Sequence, residues 1–257
     1  MIFRQRCDIA AGIARDAASL AHALRQDGRG VASFKGAQDF LTDADGLTEH
    51  FIRDQLAKHF PGEAVIGEEM GGIAMDDDPV WILDPIDGTS NFSRDGDRWC
   101  VSIGMAQHGR AVLGAIARHS PAEVFAGAEG CGATMNGAPI RAAPTTEVTR
   151  AIIEIGWSLR VPIAEFHRMA EQCMALGAGL RVGGSGALGL VECAIGRLDG
   201  YLERHINAWD ACAAIAIARE AGCWTNGFDS GNWLARGNPV GVGAPALGGM
   251  LAALLNA

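Results

Sequence analysis

Trp81-Ile82-Leu83-Asp84-Pro85-Ile86-Asp87-Gly88-Thr89-Ser90-Asn91-Phe92 sets two carboxylates and a hydroxyl where an apolar run gives way to turn residues. Val80 to Leu83 reads as a buried strand, and Pro85 biases Asp84 toward an extended conformation, so the first carboxylate is expected at that strand's carboxyl end. Gly88 relieves the backbone. Thr89, Ser90 and Asn91 are good N-cap residues, which predicts a short helix whose unpaired amides point outward and attract anions. Cations held by Asp84 and Asp87 beside those amides would join a positive centre to a phosphate cradle. The stretch reads as metal-dependent phosphate chemistry.

Around it lie 257 residues, 49% of them apolar, enough for a sizeable core in one large domain or two modest ones. A formal charge of −9 without a cluster of basic residues argues against non-specific nucleic-acid binding. An acidic protein needs local positive charge to hold an anionic substrate, and metal ions are the simplest source. The seven cysteines are scattered and never spaced as CxxC, which disfavours a zinc site or a disulfide framework and suits small buried residues in a reducing compartment. Near the amino terminus, Arg4, Arg6 and Asp8 leave no signal-peptide apolar region, and the run from Ala211 to Ala218 is too short to span a bilayer. No membrane association and a cytoplasmic location are therefore expected.

Phe3, Cys7, Ala10, Ala14, Ala17, Leu20 and Leu24 fall at helical spacing and predict a long helix over 3–25, ended by Gly28 and Gly30 and followed by a polar loop with Lys35. A second helix over 44–60 stops at Pro61-Gly62. Short apolar stretches predict strands at 64–67 and 80–83, then antiparallel neighbours at 100–106, 111–117 and 123–126. Asn136-Gly137 supplies a turn, and the Pro- and Thr-rich stretch 139–149 is the best candidate boundary between two halves. Beyond it, strands at 151–155, 179–182 and 199–203 alternate with helices at 163–176, 186–196, 208–221 and 245–255. The chain reads as mixed α and β without internal repeats.

Three acidic groups stand apart in sequence: Glu68-Glu69 after a predicted strand, Asp84 with Asp87, and Asp210 within His205-Ile206-Asn207-Ala208-Trp209-Asp210. Alone, the first pair would be a solvated loop and Asp210 a helix-capping acid. Together, Gly67-Glu68-Glu69, the Trp81 to Phe92 segment and Trp209-Asp210 through Glu220-Ala221-Gly222 resemble, in order and separation, the three motifs of the inositol monophosphatase family. That family belongs to the magnesium-dependent, often lithium-sensitive sugar and nucleotide phosphatases, and the resemblance covers nearly the whole chain. Cys223 departs from it, standing where a second Gly or Ala is common.

The resemblance implies that Glu68, Asp84 and the backbone carbonyl of Ile86 bind a first Mg²⁺, and that Asp84, Asp87 and Asp210 bind a second. Oxygen ligands are what hard Mg²⁺ requires. A third, weaker ion near Glu68, with Glu69 acting through water, would make three per site. Asp45 aligns with the acid that pairs with Thr89 to activate the attacking water; Asp43 is a near neighbour, and Asp45 is preferred by its count from Lys35 and from the Glu68 motif. Backbone amides of Gly88 and Thr89 are expected to hold the phosphate. Lys35 matches a lysine on a mobile family lid, Glu203 an acid that contacts substrate hydroxyls, and Gly184, Ser185 and Gly186 the neighbours of the leaving group. Each also has a plainer reading: a solvated lysine, a strand-edge acid and a helix entry. His205 is expected to make a structural hydrogen bond, because Mg²⁺ does not favour imidazole where carboxylates are available, and Trp209 to act as a buried anchor.

The resemblance also implies an α+β fold, a layered α-β-α-β-α sandwich of the inositol monophosphatase and fructose-bisphosphatase type. It implies a single phosphatase domain over 1–257, with pseudo-halves 1–140 carrying the metal and phosphate motifs and 150–257 carrying Asp210. A homodimer acting on a small phosphorylated polyol, with no nucleic-acid partner, is the expected form. Inositol monophosphate is the first substrate choice and histidinol phosphate the alternative. A role as a regulatory binding partner in transcription, as some bacterial relatives have, is the reading from a different class.

Overall fold

Helical spacing of small apolar residues makes α1 (Ile2–Leu24), whose Ala10, Ala14, Ala17 and Ala21 are fully buried. The structure, a computed structural model, describes residues 2–31, 33–36, 39–72 and 79–257, and for residues 2, 34–36 and 39 the backbone alone. A positive φ of 82° at Gly28 closes the turn after α1. A small hairpin of β1 (Ser33–Gly36) and β2 (Asp39–Leu41) leads into α2 (Asp43–His59). The stretch expected as a polar loop around Lys35 is thus part of that hairpin.

The first large sheet contains β3 (Ala64–Gly67), β4 (Val80–Asp87), β5 (Cys100–Gln107), β6 (Arg110–Arg118), β7 (Glu123–Ala128), β8 (Gly132–Met135) and β9 (Ala138–Pro139), in that spatial order. Only β3 and β4 run parallel; every later pair is antiparallel, as short turns between neighbours require. After β4 comes the single turn α3 (Thr89–Phe92). The remaining chain forms β10 (Ile152–Ile155), α4 (Ile163–Ala175), β11 (Gly179–Arg181), α5 (Gly186–Ala194), β12 (Gly200–Ile206), α6 (Ala208–Glu220), β13 (Trp224–Thr225), α7 (Trp233–Arg236), β14 (Asn238–Gly243) and α8 (Gly248–Asn256). Its five strands are ordered β11-β10-β12-β14-β13.

Packing stacks these elements as α-β-α-β-α. Helices α1 and α2 cover one face of the seven-stranded sheet, α5 and α6 lie between the two sheets, and α4 and α8 cover the far face of the five-stranded one. The middle layer is buried on all sides, which is why α6 reads Ala-Cys-Ala-Ala-Ile-Ala-Ile-Ala rather than as an amphipathic helix. Its seat is a glycine groove. Gly104 and Gly114 are register partners on β5 and β6, and a Cβ on Gly114 would come within 2.0 Å of the Ala213 carbonyl oxygen. Close approach at these two positions brings the start of α6, and with it Asp210, down onto the sheet beside β4.

The structure departs from the sequence reading at the diagnostic stretch. Asp84 to Asp87 continue β4 as a bulged strand, with Asp84 opposite Ser102 and Asp87 opposite Cys100, instead of forming a turn. Residues three apart on a regular strand face opposite sides; the extra residue of the bulge cancels that alternation. A bulge also accommodates Pro85, which has no N–H for the ladder. The cap of α3 is Gly88, at φ 92°, and not one of the polar residues after it; a Cβ there would meet the Arg98 carbonyl at 2.8 Å. Strand β14 escapes the periodicity reading because its Gly241 and Gly243 face Trp224 and Leu251, which occupy the space of side chains. Among the described residues, no helix is long and apolar enough to cross a membrane.

Candidate active site

The bulge in β4 points Asp84 and Asp87 toward the amino ends of the two central helices. Asp84 is buried, and its Oδ1 accepts the Ile86 N–H at 2.9 Å. Asp87 receives the start of α5: the Ser185 hydroxyl, the Ala187 N–H at 2.9 Å and the Gly186 N–H at 3.3 Å all donate to it. Asp210 is the third residue of α6 and accepts the Asn207 N–H at 3.2 Å in a capping box. Carboxylate oxygens of Asp84, Asp87 and Asp210 lie within 4.8 Å of one another. Glu68 follows β3, and its N–H donates to the Leu83 carbonyl at 3.1 Å, which registers it beside Asp84.

Burial, and then the charges of Glu68, Asp87 and Asp210, push the Asp84 carboxyl well above the usual carboxylate range. Burial raises Asp87 against the pull of its three donors, and burial with the nearby Asp87 raises Asp210 to about 7. No described lysine or arginine forms an ion pair with Asp84, Asp87 or Asp210. Mutually repelling all-oxygen donors, two buried and Asp210 half-buried, are what a hard divalent cation compensates. The residues present therefore fit such an ion. His205 stays out of the cluster, with Nε2 at 2.8 Å from the Arg236 carbonyl. Trp209, expected as a buried anchor, is only half-buried; its carbonyl ties α6 to β5 by accepting the Ser102 hydroxyl at 3.1 Å.

A second group of residues meets at the start of α2. Thr89 Oγ1 is 2.9 Å from the Ile86 carbonyl and 3.3 Å from Asp45 Oδ1, so its single proton has two acceptors in reach. Asp45 is fully buried and capped by the Thr42 hydroxyl at 2.6 Å and the Thr42 N–H at 2.8 Å; burial nonetheless raises it to about 6. Asp43 faces solvent. One turn after Asp45, the buried Glu49 accepts the Glu69 and Met70 N–H groups at 2.9 and 3.3 Å, fixing the turn that carries Glu68. Gly67 is glycine because the Glu49 carboxylate would lie 2.1 Å from a Cβ.

Glu68, Asp87, Gly184, Gly186, Glu203 and Asp210 open onto one cavity of about 760 Å³. Glu203 is buried, accepts the Tyr201 hydroxyl at 2.7 Å and is pushed by burial to about 8. Asn91 donates to the Gly183 and Gly184 carbonyls at 3.1 and 3.3 Å, binding the two glycine segments to each other. Asp84, Ile86, Gly88, Thr89 and Asp45 are not among the residues lining the cavity. The Lys35 side chain lies outside the described residues. Sequence reading overlooked Glu49, Thr42, Tyr201 and the loop 156–160 that forms one wall. Thr42 and Glu49 left a trace: Thr42-Asp43-Ala44-Asp45 is a helix-start pattern, and Glu49 falls on the buried stripe with Ile52 and Leu56.

Among known proteins, the chain is 36% identical over 197 residues to an inositol-1-monophosphatase of Synechocystis sp., covering 75% of this chain and 68% of that one. It is 32% identical over 229 residues to the Nus factor SuhB of Escherichia coli, covering 86% and 84%. Among solved structures it superimposes on the suhB protein of Bartonella henselae with a TM-score of 0.87 at 28% identity, covering 96% and 97%. The corresponding values for an inositol monophosphatase of Anabaena are 0.83 and 29%, covering 100% and 97%. The sequence profile of the inositol monophosphatase family matches residues 3–257, and the chain belongs to that family.

Proposed function

We propose that the protein is a cytoplasmic Mg²⁺-dependent phosphomonoesterase, one phosphatase domain over residues 1–257, working as a homodimer on a small phosphorylated polyol, with inositol monophosphate the first substrate to test. The observation that carries this reading is the uncompensated cluster of Asp84, Asp87 and Asp210 beside Glu68, opening onto a cavity large enough for a small ester. Two or three Mg²⁺ ions held by Glu68, Asp84, Asp87, Asp210 and the Ile86 carbonyl would supply positive charge to the phosphate oxygens and leaving group. Asp45 sits behind Thr89 as an acceptor, so a proton leaving the attacking water has a path through the threonine hydroxyl to a buried carboxylate. Amides of Gly88 and Thr89 would orient the phosphate. Glu203, whose carboxyl burial holds above its ordinary range, faces the cavity where it can bond an alcohol hydroxyl, and Gly184 and Gly186 leave room for that alcohol.

Phosphate release tests the proposal. Purified protein should turn over inositol 1-phosphate or histidinol phosphate with Mg²⁺ and stop when the ion is chelated, with fructose 1,6-bisphosphate and 3′-phosphoadenosine 5′-phosphate as poorer substrates. No Mg²⁺-dependent turnover on any of them would sink it. The relatives named Nus factor support a second reading as a regulatory binding partner, and the expectation of no nucleic-acid partner fits less well beside them. Equal recovery of transcription proteins by the wild type and by Asp87→Asn would favour that role.

A further inference from the structure

Among the described residues, six of the nine exposed large apolar side chains fall between residues 157 and 182, and three of them, Trp157, Leu159 and Val182, line the same cavity as Asp87, Asp210 and Glu203. They are 44%, 58% and 61% exposed, far more open than the rest of the apolar side chains around that cavity. Local geometry holds them there. Gly156 runs so close to the Tyr201-Glu203 pair that a Cβ would meet Glu203 Oε2 at 2.2 Å and the Tyr201 hydroxyl at 2.3 Å. The chain then turns at Ser158, which is buried, its Oγ accepting the Arg160 N–H at 3.2 Å and its carbonyl the Val161 N–H at 3.2 Å. With Ser158 turned in, Trp157 and Leu159 on either side face out. Val182 directly precedes the Gly183-Gly184 segment that Asn91 anchors.

One end of the cavity is therefore acidic and polar and another part of its wall is apolar. Hydroxyls set against Trp157, Leu159 and Val182 would lose water without gaining a partner, whereas aromatic or C–H surface there loses nothing. Resting on the phosphomonoesterase reading but departing from the polyol as its alcohol, we propose that the preferred substrate is an amphiphilic phosphomonoester: its phosphate and the carbon that bears it face Asp87, Asp210 and Glu203, and an aromatic or aliphatic body packs on Trp157, Leu159 and Val182. These three side chains are specificity-determining rather than catalytic.

The test compares two alkyl esters with similar leaving alcohols, phenylethyl phosphate and hydroxyethyl phosphate, on wild type, Trp157→Ala and Val182→Ser in the presence of Mg²⁺. Wild type should favour the phenylethyl ester in kcat/KM, and Trp157→Ala should lose roughly tenfold on it through KM while the hydroxyethyl ester changes by less than about twofold. Val182→Ser should shift the ratio the same way. Equal preference in wild type, or an equal loss on both esters in Trp157→Ala, overturns the proposal. If neither ester is hydrolysed while inositol 1-phosphate is, the proposal fails and the phosphatase reading stands; if inositol 1-phosphate is not hydrolysed either, the phosphatase reading fails by itself, and calorimetric Kd values for the two esters then decide the apolar wall by the same ratio. A Trp157→Ala protein that sediments as a smaller species with its ester preference intact also overturns the proposal, since the wall would then belong to a second copy of the chain.

Discussion

Asp210 carries two demands in one carboxylate. It caps its own helix through the Asn207 N–H, and burial, with Asp87 close by, raises its carboxyl to about 7. Asparagine keeps an oxygen for the cap and removes the charge, so Asp210→Asn separates the roles. Phosphate-release kcat should fall by about 10²-fold or more, while far-ultraviolet circular dichroism stays unchanged and unfolding in chelator shifts to the same or a higher temperature. The last result follows because a repelled buried charge opposes folding when no cation is present. Near-normal kcat would remove Asp210 from the chemistry. Thr89→Val makes the companion case: it deletes the hydroxyl between Ile86 and Asp45 and leaves the four acidic groups in place. Its kcat should drop by about 10²- to 10⁴-fold with Mg²⁺ affinity by calorimetry changed only slightly. A matching loss of Mg²⁺ affinity would make Thr89 a metal-site residue instead of a proton relay.

Elements bring these residues together by close approach, and there the sequence was legible in some places and mute in others. Helix α1 could be read because its buried face recurs at helical spacing, and β5, β6 and β7 because turn residues punctuate them. The bulge between Asp84 and Asp87 could not be read, because period-two alternation says only that residues three apart diverge. Family motifs supplied the acids without the geometry that joins them. Glu49 was invisible for a related reason: a glutamate on a buried helical stripe reads as an error in the stripe until Gly67 opposite it is seen to be empty. The glycine groove for α6 yields a test. Gly114→Ala places a methyl group 2.0 Å from backbone, which cannot rotate away, so α6 must lift from β5 and β6. Urea unfolding should show a loss of about 1–3 kcal/mol, and kcat of the remaining folded protein should fall because Asp210 moves with the helix. Gly227→Ala, where nothing lies within 4 Å and φ is outside the left-handed region, controls for the added methyl group alone. Equal effects of the two substitutions would refute the groove.

Over the whole molecule, an acidic protein concentrates its least tolerable charges in one place. Asp45 near 6, Asp210 near 7 and Glu203 near 8, with Asp84 and Asp87 also raised, all hold protons in the fold at pH values where the unfolded chain has released them. Stability from these groups is complete below the ordinary carboxylate range and is lost as pH rises through the folded values. Glu123 and Asp229, lowered beside Arg197 and Arg219, act in the opposite direction, but their contribution is already complete once pH exceeds the ordinary carboxylate range. In chelator, the unfolding temperature should therefore fall from about pH 4.5 upward, most steeply at first, and level off above about pH 8. A divalent cation that binds the ionised cluster competes with those protons, so the rise in unfolding temperature on adding Mg²⁺ should grow across the same interval, and proton release on binding should be largest at its acid end and fade above about pH 8. Scanning fluorimetry with Mg²⁺ or chelator at each pH, and calorimetry in two buffers of different ionisation enthalpy, measure both. Asp210→Asn should flatten part of the pH slope in chelator and shrink the Mg²⁺ increment together, because the same carboxylate causes both. A Mg²⁺ increment independent of pH would mean that the cation stabilises the fold somewhere other than this cluster.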